Sequence, residues 1–198
     1  MEYTSAQCYI TGISPYSQSR QHEEPNLEGE AKDAYDQRTW KSKLTVETYN
    51  GKPTVVVPAH GMAQSIQAAA KYSKRQIPNQ GKATWTQKFL SGIAILENIP
   101  LNIHPDSVRC AVISSNADGV RGSGKRVPRR FPVIDPPWEA NFEVQILDPI
   151  ITHEVFSEML TLSGMFIGIG RFRHEKGGTN GRFLVTKIDW SDKRRIAA

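Results

Sequence analysis

The stretch 152-THEVFSEMLTLSGMFIGIGRFRHEKGGTNGRFLVTKIDW-190 reads as three consecutive pieces: a helix, a glycine-rich basic loop and a strand. Thr152 has the short oxygen-bearing side chain of an N-cap, and Val155, Phe156, Met159, Leu160 and Ser163 recur at the spacing of one buried helical face. Gly164 or Gly168 ends that helix. Residues 182–190 alternate as a strand with one buried side. Between helix and strand, residues 168–181 mix glycines with Arg171, Arg173 and Lys176. Glycines allow positive φ and let backbone N–H groups approach an anion, while the basic side chains attract phosphates at long range. Phe172 sits among these charges, where a ring can stack on a base. A solvated connection with no ligand is the plain alternative; the coincidence of charge, glycine and ring in one loop favours nucleic acid.

The whole chain supports that direction without deciding it. A length of 198 residues suits one domain with its own core, and a net charge of +5 favours an acidic partner. No stretch is apolar enough to span a bilayer, and the first residues lack the basic start and apolar run of a signal peptide, so a cytoplasmic protein is expected. Cys8 and Cys110, the only two cysteines, lie in apolar runs and read as small buried hydrophobes. The five histidines, His22, His60, His104, His153 and His174, have no paired ligand spacing, so neither a metal nor a cofactor is called for.

Along the chain, residues 6–13 form a first strand, and residues 14–36 form a polar loop or flap rich in Glu and Asp. Arg38, Trp40, Lys41 and Lys43 then interleave a ring with cations, as a strand-stacking surface does, although Trp40 serves equally well as core. Asn50-Gly51 separates two apolar runs and predicts a tight hairpin. Residues 61–75 predict a helix burying Met62, Ile66, Ala69 and Ala70, with Lys71, Lys74 and Arg75 complementing the dipole in its last turn. Thr84 and Gln87 match a capping box opening a short helix that ends at Gly92. Strands are expected at 93–97, 108–115 and 139–147.

The most basic stretch, residues 119–131, carries Arg121, Lys125, Arg126, Arg129 and Arg130. Its first part approaches a P-loop, but Arg126 stands where a magnesium-ligating hydroxyl belongs, and Pro128 and Pro132 preclude the required helix. A flexible arm lying along a phosphate backbone is the expectation.

A helix, a glycine-rich basic loop and a closing strand resemble the signature of the RAMP superfamily of CRISPR-associated proteins, most of all the backbone subunits that coat a guide RNA. Gly164, Gly168, Gly170, Gly177, Gly178 and Gly181 with Arg171 and Arg173 carry the resemblance, together with the first strand running into the loop that bears Arg20. The resemblance implies an RRM-like, ferredoxin-like α+β fold: an antiparallel sheet, helices on one face, and loops inserted at about 14–42 and 116–132 of a single domain. It implies a binding surface made of the sheet face and the two basic loops, a single-stranded partner (RNA ahead of DNA), self-association into a helical filament, and other effector subunits as further partners. Relatives that cleave target RNA carry an aspartate after the first strand, a region holding Asp33 and Asp36 here; a solvated acidic loop is the alternative. No catalytic set stands out, so a binding protein is expected. The second reading is a metal-independent endoribonuclease using His60, His104 or His174, and the third a structural or inhibitory protein without nucleic acid.

Overall fold

The computed structural model describes residues 2–116 and 124–195, with side chains to residue 191. The N-terminal run becomes an 11-residue strand, β1 (Glu2–Gly12), longer than its apolar core predicted. Its alternation is of period two: Ala6, Cys8 and Ile10 are buried, while Gln7, Tyr9 and Thr11 are half-exposed. β2 (Tyr16–Ser17) and α1 (Lys32–Thr39) follow, then the hairpin β3 (Val46–Tyr49) and β4 (Lys52–Val57). Asn50 and Gly51 both take positive φ in its turn, as a two-residue hairpin turn requires. Next come α2 (Ala59–Ser73), α3 (Trp85–Gly92), β5 (Ile93–Ala94), β6 (Ile99–Pro100), β7 (Arg109–Asn116), β8 (Arg126–Ile134), β9 (Glu139–Ile146), α4 (His153–Leu162) and β10 (Phe183–Arg195).

β10, β1, β9 and β5 form one sheet in that order, all neighbours antiparallel. With α2 and α3 between β1 and β5 and α4 between β9 and β10, this is the order of a ferredoxin-like βαββαβ unit, and the expected α+β fold is met. Ala140, Phe142, Val144 and Ile146 of β9 bury beside β1 and face Met62 and Ile66 of α2, Phe89 of α3, and Val155, Phe156 and Met159 of α4. Each such fully buried large side chain contributes about 1.5–3 kcal/mol over leaving it in water. The outer sheet face exposes Glu139, Asn141 and Glu143.

Two smaller sheets carry the insertions: β2, β8 and β7 in one, β3, β4 and β6 in the other. Here the structure departs from the sequence reading. Residues 126–134 are not a flexible arm but strand β8, paired with β7 from Arg109↔Val133 to Asn116↔Arg126. Pro128 and Pro132 are accommodated within it. Arg121 lies outside the described residues. The 14–36 segment is not an unstructured flap either. Tyr16, Ser17 and Gln18 are buried, and the Gln18 amide donates to the Val56 carbonyl at 2.6 Å while its oxygen accepts from the Thr45 N–H. The capping box at Thr84 does not form, since the Thr84 hydroxyl turns to that of Thr86. α2 ends at Ser73, leaving Lys74 left-handed at its C-cap and Arg75 beyond. The strand expected at 93–97 shrinks to Ile93–Ala94, and Cys110 is half-buried where Cys8 is fully buried. No helix among the described residues is long and apolar enough to cross a membrane.

Candidate nucleic-acid interface

The Thr152 hydroxyl accepts from the Val155 N–H and starts α4 as expected, and of the two glycines offered as its end Gly168, not Gly164, caps the helical segment. It passes into a π turn, Ser163–Ile167, closed by the Gly168 N–H donating to the Ser163 carbonyl at 2.8 Å. Gly164 is buried against Phe183 so closely that a Cβ would collide with the Phe183 carbonyl. The Ser65 hydroxyl of α2 donates to the Gly168 carbonyl at 2.9 Å and pairs with Ser163, tying the start of the loop to the helix layer.

The loop's glycines meet the first half of the expectation, since Gly168, Gly170, Gly177 and Gly181 take positive φ. Gly170 has φ +75°, and a Cβ on it would strike the Ser17 carbonyl and the Tyr16 ring; a Cβ on Gly178 would fall on the Phe172 carbonyl. The backbone closes on itself at these points. The N–H groups of Arg171, Gly178, Asn180 and Gly181 donate to the carbonyls of Ser17, Arg173, Phe172 and Pro15. These donors are therefore engaged within the chain, and the glycines allow a tight loop that presents its cations rather than an open nest of N–H groups.

Arg171 is held over two rings: its guanidinium carbon lies 5.2 Å from the Phe131 centroid and 5.1 Å from that of Phe172. The rings meet edge-to-face at 5.0 Å, and Lys43 approaches Phe131 from 4.8 Å. Phe172 thus serves first as a support for Arg171. Arg173 and Lys176 both reach the Glu175 carboxylate, at 3.0 and 3.3 Å. Burial opposes ionisation of Glu175, but these two cations prevail and hold its carboxyl below the usual range.

Two cavities adjoin at this loop. One, of about 350 Å³, is lined by Arg20, Arg171, Arg173 and Gly170 with His60, Gly61 and Gln64 from the first turns of α2. The other, of about 600 Å³, is lined by Gly170, Arg171, Phe172, Arg173, Lys176, Gly177 and Gly178 with Arg126, Ser114, Ser115 and Asn116 of the β7/β8 hairpin. Sharing Gly170, Arg171 and Arg173, they make one cationic trough from the positive end of the α2 dipole to the hairpin.

Other residues expected at the interface lie elsewhere. Arg38 forms a two-pronged bond to Glu30 at 2.8–2.9 Å and also nears Glu24; the same contact draws the Glu30 carboxyl well below its usual range. Lys41 bonds Asp106 at 2.8 Å, and Trp40 packs half-buried against the core. Arg130 pairs with Asp33, and its backbone N–H donates to Asp36. Arg129 lines a separate hollow with Lys32 and Asp33, Lys125 is exposed near the hairpin tip, and Gly168 and Gly181 are buried. Asp33, itself exposed, and the buried Asp36 are thus partners of basic groups in their own chain. His60 reaches the trough, whereas His104 accepts from the Asp106 N–H and His174 is exposed on its own turn. Among the described residues no group of three or more His, Cys, Asp or Glu could hold a metal. Sequence reasoning offered His60 only as a ribonuclease candidate and missed Gly61, Gln64 and the Phe131–Arg171 stack, because only the tertiary fold brings α2 and β8 to the loop.

No protein-family model matches the chain, and no curated protein does. Among solved structures, it is similar over 96% of its length to a chain of the type III-B Cmr-beta complex bound to cognate target RNA, with TM-score 0.50 and 13% identity, spanning 61% of that chain. Cmr6 from Pyrococcus furiosus aligns over 93% of this chain and 98% of its own, with TM-score 0.48 and 10% identity. A chain of a CRISPR RNA-guided surveillance complex aligns over 98% of this chain and 72% of its own, with TM-score 0.47 and 9% identity. The likeness is one of fold, and the resemblance expected from the glycine loop and closing strand is met at that level: this chain has the fold of a chain of the type III-B Cmr-beta complex.

Proposed function

We propose that this protein binds single-stranded nucleic acid, RNA ahead of DNA, along the trough, as one subunit of an RNA-guided effector assembly. The observation that carries the reading is the gathering of Arg20, Arg126, Arg171, Arg173 and Lys176 around two adjoining cavities beside Phe172. Support comes from the shared fold, since the similar chain belongs to a complex bound to target RNA. Cations in a groove neutralise successive phosphates and release counterions, which favours any sequence alike. Residues 1–198 act in this reading as one RNA-binding domain, and further copies and other effector subunits follow along the strand as a helical filament.

The test is a titration of labelled oligouridylate at several salt concentrations. Affinity should fall linearly on logarithmic axes, and the Arg171→Ala/Arg173→Ala variant should flatten the slope by about 0.7 per lost contact. No binding at low salt by the wild type rejects the reading. A metal-independent ribonuclease is the second reading, favoured at one residue by the position of His60 beside Arg20, Arg171 and Arg173. Cleavage of RNA that His60→Ala abolishes, with binding intact, would establish it.

A further inference from the structure

Outside the trough, one surface feature has no role in the fold described so far. Tyr72, in the last turn of α2, and Phe166, in the π turn after α4, stack on each other with centroids 5.5 Å apart and planes 21° from parallel. Tyr72 is 56% exposed and Phe166 45%, so the pair faces water instead of a core. The π turn is what puts Phe166 there: its extra residue keeps Ile167 buried while Phe166 projects toward α2. Two large rings held parallel in solvent have apolar surface to lose to a flat partner.

The surroundings define that partner. Lys71, Lys74 and Arg75 border the hollow beside Tyr72, together with Glu158, Ile167 and Glu175. Arg75 is paired with Glu158, and Glu175 is held by Arg173 and Lys176, so both carboxylates are already neutralised, while Lys71 and Lys74 have no carboxylate partner among the described residues. The helix dipole accounts for a cation at Lys71 but not for a stacked ring pair beside it. Glu175 belongs to the same turn as Lys176, which lines the trough, so this patch continues the trough around the edge of the loop.

We propose that a base of the bound single strand stacks on the Tyr72–Phe166 pair, with Lys71 and Lys74 meeting the flanking phosphates. The proposal rests on the trough reading and extends its track onto the helical face. A π face accepts any base, which suits a protein that binds without sequence preference.

The experiment compares labelled oligoadenylate with a chain of abasic units, on wild type, on Tyr72→Leu/Phe166→Leu and on Arg173→Ala. Leucine keeps apolar bulk at two exposed sites and removes only the rings. The ring variant should bind oligoadenylate roughly five- to hundredfold more weakly, with little change on the abasic chain and with the salt slope retained, because the rings carry no charge. Equal affinity of wild type and ring variant for oligoadenylate overturns the proposal, and would be the result if the patch met a protein. If Arg173→Ala flattens the slope while the ring variant behaves as wild type, the trough reading stands and this one falls. If wild type binds neither probe, both fall.

Discussion

Asp36 accepts a hydrogen bond from the Lys43 ammonium at 2.6 Å with both side chains largely withdrawn from water, 5% and 12% exposed. The other Asp36 oxygen takes the Arg130 N–H, and Lys43 also donates to the Arg130 carbonyl at 2.6 Å. One carboxylate thus fastens α1 and the turn that follows it to strand β8. Removing a single partner leaves the other charge buried, so Asp36→Ala should cost about 3–5 kcal/mol. Asp33→Ala breaks only the exposed pair with Arg130 and should cost under about 1 kcal/mol. Urea unfolding of the two variants checks this, and equal losses would show that Asp36 is no buried anchor.

Two glycine-to-alanine changes should have opposite signs. At Gly61, in the first turn of α2, an added Cβ meets nothing within 4 Å, so alanine's better helix propensity should raise stability by about 0.5–1 kcal/mol. At Gly178 the Cβ would fall on the Phe172 carbonyl, which is backbone and itself bonded to the Asn180 N–H. That variant should melt below wild type and lose RNA affinity, since the loop that carries Arg171 and Arg173 must open. Thermal melts in parallel with a binding titration decide it; a Gly178→Ala protein as stable as wild type would mean the loop has slack.

Cys8 lies at the centre of β1, opposite Phe142 on one side and Ile188 on the other, and burial pushes its thiol up to about 12. Because the folded value is raised, the neutral thiol contributes stability that is whole below the ordinary thiol pKa and is lost as pH rises from about 9 toward 12. Near pH 8 the native protein should therefore leave Cys8 unmodified by a thiol reagent. Burial also raises half-buried Cys110, so labelling should be slow there and faster than at Cys8. Mass spectrometry of alkylated peptides reads both sites, and rapid native labelling of Cys8 would contradict the buried position of β1.

The parts of the fold that were legible are those where one local pattern dominates. Asn50-Gly51 marked its hairpin, the alternation of Phe142, Val144 and Ile146 marked β9, and the period of Val155, Phe156 and Met159 marked α4. β8 was missed because Pro128, Pro132 and a run of arginines look like an arm, and only pairing with β7 makes them a strand. In the site, the loop arginines were legible as charge, but which cations remain available was not. Arg38 and Arg130 carry the same charge as Arg171, yet carboxylates from the folded-back 24–36 segment meet them. The rings show the same limit: nothing near Phe172 in sequence announces Phe131, and nothing near Tyr72 announces Phe166.

Glu175 provides the sharpest test of how the trough works. Its carboxylate lies between Arg173 and Lys176, on the same cations that a phosphate would meet. A bound strand must either displace it or sit beside a like charge, and each alternative weakens binding. Glu175→Gln removes the charge and keeps the shape, so this carboxylate no longer competes for Arg173 and Lys176. The variant should bind single-stranded RNA several-fold more tightly than wild type at low salt, with a log–log salt slope steeper by up to about 1.4, two further contacts at 0.7 each. Stability should change by less than about 1 kcal/mol, because these are partly exposed pairs. Fluorescence anisotropy across a salt series measures affinity and slope together. Weaker binding by Glu175→Gln would mean that the carboxylate orients Arg173 toward the strand, and that the trough is organised around the Arg173–Glu175 pair instead of being restrained by it.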